Sequence, residues 1–231
     1  MKHRRSIQTQ FTLAGLSRFF QLAVLLVVLV HPPVLLGVPN QITDEDLASL
    51  ERGEILLESI QTDQTGVAMR VTALLQTTAD EVWQILGYCQ YELIYVKGLK
   101  VCEVLEGDQF QMKVHHRIRN SWYTPTLDFV IEATRDAEGI GRAVLVSGDL
   151  NVLDGRWELI RHENGSSVIT IHEIRIQPKI PVPKWLVRHT LNNDLPDMMA
   201  CIRGLANASG TERDITFDLK RCPGEISSAT K

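Results

Sequence analysis

Residues Pro183 through Ala206 carry the feature that most narrows what this chain can fold into. Val187, Leu191, Leu195, Met198, Ile202 and Leu205 recur at steps of three and four, so all six side chains share one face of an α-helix. A stripe of that length has to be covered by another apolar surface. Pro196 complicates it, having no N–H to return to Asn192 and a ring that crowds the Asn192 carbonyl. With Asp194 placed to cap a fresh start, a kink or joint is expected between Asn193 and Pro196. Trp185, Leu191 and Leu195 would then stand at a cavity mouth, and Met198, Ile202 and Leu205 would close its base.

The covering surface is legible upstream. Val67 to Leu75 alternates about a period of two, as does Phe110 to Ile118, and Leu127, Phe129, Ile131 and Ala133 share one face of a third segment. Further strands are expected at Glu54–Thr62, Leu99–Leu105, Arg142–Leu150, Arg156–Ile160 after an Asp154-Gly155 turn, and Ser167–Gln177. Asn164-Gly165 marks a hairpin. Thr43 and Thr78 are N-caps of short helices, with acids in the first turn. Tyr88 to Tyr95 reads as another short helix or ordered loop. Strands joined by Gly turns imply an antiparallel meander with helices at its start and end, an α+β architecture.

Charge separates the first 38 residues from the rest. Lys2, Arg4, Arg5 and Arg18 are their only charges, so the formal total of −4 leaves −8 on the remainder. An acidic body with no basic run argues against nucleic acid as a partner. A basic start, an apolar run from Phe19 to Val30 and a His-Pro-Pro break fit a secretory signal peptide over 1–38. The alternative is a membrane anchor over 19–38, about the ~20 residues a span requires. Either reading places the body outside the cytoplasm, periplasmic, secreted or tethered. The expected organisation is therefore 1–38 as signal or anchor, 39–53 as a short N-terminal helix, 54–206 as the domain and 207–231 as a polar, loose tail. Cys89, Cys102, Cys201 and Cys222 permit disulfides there without requiring them; Cys201 with Cys222 would staple the tail.

Catalytic and metal motifs find little support. Adjacent residues on a strand point to opposite faces, so neither His115-His116 nor His172-Glu173 chelates through both side chains, and no metal is expected. Ser147, His189 and Asp194 lack a nucleophile elbow. Aromatic and Met positions are more informative. Met69, Val71, Trp83, Tyr91, Tyr95, Phe110, Met112, Val114, Phe129, Ile131, Trp157, Leu191, Leu195 and Met198 are the candidate lining of a hydrophobic cavity, since flexible Met and flat rings line a volume without filling it.

The order of elements meets a known family. Ala79-Asp80-Glu81-Val82-Trp83-x-x-Leu86 resembles the first helix of START-like, helix-grip proteins (the SRPBCC superfamily). Gly98-Leu99-Lys100-x-x-x-Val104-Leu105 resembles the approach to their second strand, and Gly155-Arg156-Trp157-x-Leu159 a later one. Pro181-x-Pro183-x-Trp185-Leu186-Val187-Arg188 and Asp194-Leu195-Pro196-x-Met198 resemble their last helix. The likeness runs over roughly 54–206 and is nearest to the polyketide cyclase/dehydrase and lipid-transport branch, which includes coenzyme-Q-binding proteins. The family's Asp-Tyr-x-x-Tyr-Pro is replaced by Tyr88-Cys89-Gln90-Tyr91, and its Pro before Gly98 by Lys97, so ligand specificity does not carry over.

The resemblance implies a helix-grip fold, a curved antiparallel sheet wrapped around a long C-terminal helix with an internal cavity. It implies non-catalytic binding or transport of a lipid, isoprenoid or quinone, with no cofactor beyond such a ligand and a membrane surface as partner. The alternatives are an envelope protein-interaction module, or an aromatase/cyclase-type enzyme with Tyr91, His116 and Arg117 as acid–base groups.

Overall fold

The structure, a computed structural model, describes residues 42–62, 64–119 and 125–208 together with Cys222. The signal or anchor expected over 1–38 and all of the tail expected over 207–231 except 207, 208 and Cys222 lie outside the described residues. Contacts group the chain from Thr43 onward as one unit. No helix among the described residues is long and apolar enough to cross a membrane.

Period-two alternation produces eight strands: β1 Ile55–Ile60, β2 Val67–Leu75, β3 Leu99–Gly107, β4 Gln111–Ile118, β5 Leu127–Arg135, β6 Ile140–Gly148, β7 Leu150–His162 and β8 Ser167–Pro178. They form one curved antiparallel sheet in the order β1-β2-β8-β7-β6-β5-β4-β3. The chain pairs β1 with β2, crosses to the far edge through helices, then returns strand by strand until β8 meets β2. The meander expected from the turns therefore covers β3 to β8, and the helical crossover sets it apart from β1 and β2.

Among the described residues four α-helices accompany the sheet: α1 Asp44–Glu51, α2 Ala79–Gly87, α3 Cys89–Tyr95 and α4 Lys184–Ala208. Capping boxes fix the starts of α1 and α2. The Thr43 hydroxyl accepts from the Asp46 N–H while the Asp46 carboxylate accepts from the Thr43 N–H. Thr78 and Glu81 repeat the exchange, satisfying donors that a helix start leaves orphaned.

Three local expectations are corrected. The turn into the seventh strand falls at Gly148, not at Asp154-Gly155. Gly148 has φ +119°, and an added Cβ would lie 2.3 Å from the Phe129 Cα, so the position needs glycine. Gly155 instead pairs with Ala143 on one side and Ile174 on the other; two ladders override the turn propensity of Asp-Gly. The last helix does not restart near Pro196. It runs as one element to Ala208, two residues past the expected end. Asn192 is exposed, so water can take up the carbonyl that Pro196 leaves without its partner. Asp194 accepts a hydrogen bond from Lys97 Nζ at 2.8 Å.

The buried face of α4, with Leu195, Met198, Met199, Cys201, Ile202 and Leu205, packs on Val67–Leu75 of β2, on Val82 and Ile85 of α2, and on Ile94 and Tyr95 of α3. Each such side chain contributes about 1.5–3 kcal/mol by leaving water. The N-terminal turns of α4 differ: Val187 and Leu191 are only partly buried, and Trp185 is 69% exposed. A separate cluster of Val114, Phe129, Ile131 and Leu150 spans β4, β5 and β7.

Candidate functional site

A cleft of about 550 Å³ opens between α2, the start of α3 and strands β3 to β7. Its volume comes from missing side chains. Ala133 and Ala143 are register partners, and Gly155 faces Ala143 on the next strand, so three small residues cross β5, β6 and β7 in a row. Nearby, Gly141 lets the Trp83 ring approach; a Cβ there would sit 2.7 Å from the ring. Around this low floor stand Trp83, Leu86, Phe110, Met112, Ile131 and Trp157, with Asp80, Gln84, Glu92 and Arg135 as polar groups at the margin. The Arg135 guanidinium lies 4.7 Å from the Trp83 ring centroid, a cation–π contact that orients both.

Of the fourteen candidate lining residues, Trp83, Phe110, Met112, Ile131 and Trp157 border this cleft. Met69, Val71, Tyr95, Leu195 and Met198 are buried in the core under α4, with Tyr91 and Leu191 partly buried against it. Val114 and Phe129 belong to the second cluster. Among the described residues, no α4 side chain borders the cleft. The mouth assigned to Trp185, Leu191 and Leu195 is thus not part of it: α4 lies over β1 and β2, whereas the cleft lies over β3 to β7. Alternation identifies an inward face but not which part of that face a helix will cover. The small-residue row was missed because Gly141 and Gly155 resemble turn signals and the alanines carry no marked pattern.

The histidines resolve by strand geometry. His116 faces inward, its Nε2 2.8 Å from a Glu92 carboxylate oxygen and its ring edge-on to Phe129. His115 faces the other way, 2.8 Å from Asp128, which also accepts from Arg117. His116 and Arg117 therefore diverge, and the acid–base group Tyr91, His116 and Arg117 is not assembled on one face. His172 stacks on Trp157 at 3.9 Å, and its Nδ1 lies 3.2 Å from the Arg156 carbonyl, which accepts its proton. Burial lowers its pKa to about 4, so it is neutral at pH 7. The Tyr95 phenol, buried beside Glu92, is pushed well above its ordinary value by that burial and then by the carboxylate. Burial also raises Asp194, against the opposing pull of Lys97.

All four cysteines are paired, Cys89 with Cys102 and Cys201 with Cys222. The first bridge ties α3 to β3 beside Glu92. The second ties Cys222 to α4, as the sequence allowed.

A family model described as polyketide cyclase / dehydrase and lipid transport matches residues 75–203. Solved structures share the fold at low identity. A STAR-related lipid transfer protein from Xanthomonas axonopodis is 16% identical with a TM-score of 0.57, over 66% of this chain and 93% of that one. Human StAR-related lipid transfer protein 5 is 10% identical with a TM-score of 0.57, over 69% and 84%. The Zhui aromatase/cyclase of a Streptomyces species is 12% identical with a TM-score of 0.53, over 64% and 97%. No curated protein sequence matches the chain significantly.

Proposed function

The chain belongs to the polyketide cyclase/dehydrase and lipid transport family, and from that premise we propose that it binds and carries a hydrophobic ligand of lipid, isoprenoid or quinone type, without transforming it, outside the cytoplasm. The observation that carries the reading is the cleft, with two tryptophans, Phe110 and Met112 around a floor of Ala133, Gly141 and Ala143. Its volume falls in the usual range for small-molecule sites, roughly 300–1,000 Å³. Burying ~10 methylenes at ~0.8 kcal/mol each contributes about 8 kcal/mol before ordering costs, enough for useful affinity with few polar contacts.

Three features support an extracytoplasmic, membrane-facing setting. The basic-then-apolar pattern of residues 1–38 fits export or anchoring, and paired cysteines persist in oxidising compartments. At the start of α4, exposed Trp185 and Leu186 sit beside Lys184 and Arg188, a mixture suited to a lipid headgroup layer. One observation favours an aromatase/cyclase-type enzyme instead, the partly buried Glu92–His116 pair beside the cleft.

Native mass spectrometry on protein from its own envelope tests the reading. A retained lipid-sized mass that exchanges into acceptor vesicles unchanged is the expected result. A ligand released chemically altered would move the assignment to an enzyme. An empty protein that captures a protein partner would move it to an interaction module.

A further inference from the structure

The surroundings of Cys89 and Cys102 contain more than a disulfide. Cys89 and Glu92 stand three residues apart on α3, on one helix face. Cys102 and His116 are register partners on β3 and β4. Packing α3 on this strand pair brings Cys89, Glu92 and Cys102 together, with His116 against Glu92. The sulfurs of Cys89 and Cys102 and a Glu92 oxygen all lie within 4.8 Å of one another. One Glu92 oxygen is 2.9 Å from Cys102 Sγ and 2.8 Å from His116 Nε2. A disulfide sulfur carries no proton, so in the oxidised form that carboxylate oxygen faces sulfur without a hydrogen bond between them. A cation would satisfy every one of these donor atoms.

We propose that the reduced chain holds a thiophilic divalent cation, zinc by its chemistry, between Cys89, Glu92, Cys102 and His116, and that the Cys89–Cys102 disulfide is the oxidised, metal-free form of the same site. Two thiolates, an imidazole and a carboxylate make a four-ligand set of the kind Zn²⁺ takes tetrahedrally. Metal–sulfur bonds of ~2.3 Å place the two sulfurs about 3.8 Å apart. With the two Cα atoms 5.3 Å apart, side-chain rotation supplies that separation. A thiol or phosphine reductant gives two electrons to the S–S bond, which takes up two protons to become two thiols. Metal binding then releases those two protons as both sulfurs coordinate. The His116 proton moves to Nδ1 and frees Nε2 for the ion.

The test uses the full chain, reduced with a phosphine under inert gas and titrated with Co²⁺ as a spectroscopic stand-in for zinc. One equivalent should bind with thiolate-to-cobalt charge-transfer absorption, and the oxidised chain should show none of this band. Zn²⁺ should displace the cobalt and protect Cys89 and Cys102, but not Cys201 and Cys222, from alkylation. His116→Ala and Glu92→Gln, whose folding is first verified with both bridges intact, should each weaken cobalt binding on the order of tenfold or more. A reduced chain that binds no cobalt overturns the proposal. So does binding that protects Cys201 and Cys222 instead, or that is unchanged in both variants.

Discussion

β2 and β3 are both nine-residue strands, yet eight residues of β2 are buried and only one of β3. β2 lies between β1 and β8 with the C-terminal half of α4 across it. β3 is the opposite edge, and from it inward to β7 the sheet faces the cleft. One sheet thus serves two purposes: where the long helix covers it, apolar side chains interlock; where the helix is absent, small side chains leave a volume. Stability and ligand capacity are consequently assigned to different strands.

The sharpest way to break this division is to truncate one methionine from each side. Met199, on the inner face of α4, is fully buried, and Met199→Ala should lower unfolding free energy by roughly 3–4 kcal/mol in urea denaturation. Met112 borders the cleft and is partly exposed, so Met112→Ala should cost less than ~1 kcal/mol while reducing ligand retention. Equal stability losses would show that the cleft side is packed core after all.

His172 lies on β8, stacked on the cleft residue Trp157. Its folded pKa of about 4 lies below its unfolded value of about 6.5. Above pH 6.5 both states are neutral. As pH falls from there toward 4 the unfolded chain takes up a proton that the folded chain refuses, so stability drops across that window by as much as ~3 kcal/mol and levels off below it. His172→Phe, keeping a ring against Trp157, should flatten that part of the stability–pH curve. An unchanged slope would place the acid sensitivity elsewhere.

The smallest expected stability change is at Gly141. Gly141→Ala forces the Trp83 ring to move, and the open cleft lets it move at a cost below ~1 kcal/mol. The swung ring then occupies ligand space, so bound ligand should fall while the melting temperature barely shifts. A large loss of stability with no loss of ligand would reverse the roles assigned to the two sides.

Much of the frame was readable from sequence because its causes are local. Thr43 with Asp46 and Thr78 with Glu81 mark helix starts through bonds spanning three residues. Asn164-Gly165 marks a hairpin because Asn164 (φ 57°) and Gly165 (φ 89°) take left-handed backbone. The cleft was less readable because it depends on which strand lies where. Met69 and Met112 alternate equally well, and only the crossover that sends β3 to the far edge puts one under a helix and the other in a cleft. The same holds for Cys102, whose partners Cys89 and His116 depend on strand register and on α3 docking. Pro196 does not split the helix because one missing hydrogen bond is set against six buried side chains, Leu195 before it and five after it.

At seven residues, α3 is too short to persist as a free helix. It is nevertheless held at its first residue by the Cys89–Cys102 bridge, at its middle by Glu92 on His116, and just past its end by Lys97 on Asp194. A segment clamped at three points is a fixed jamb, not a door. The apolar margin of the cleft on the sheet side is the β3–β4 hairpin, where Val104 and Phe110 border the cleft and, with Leu105, stand about half exposed. A ligand entering there would cross a greasy threshold that belongs to the edge of the sheet.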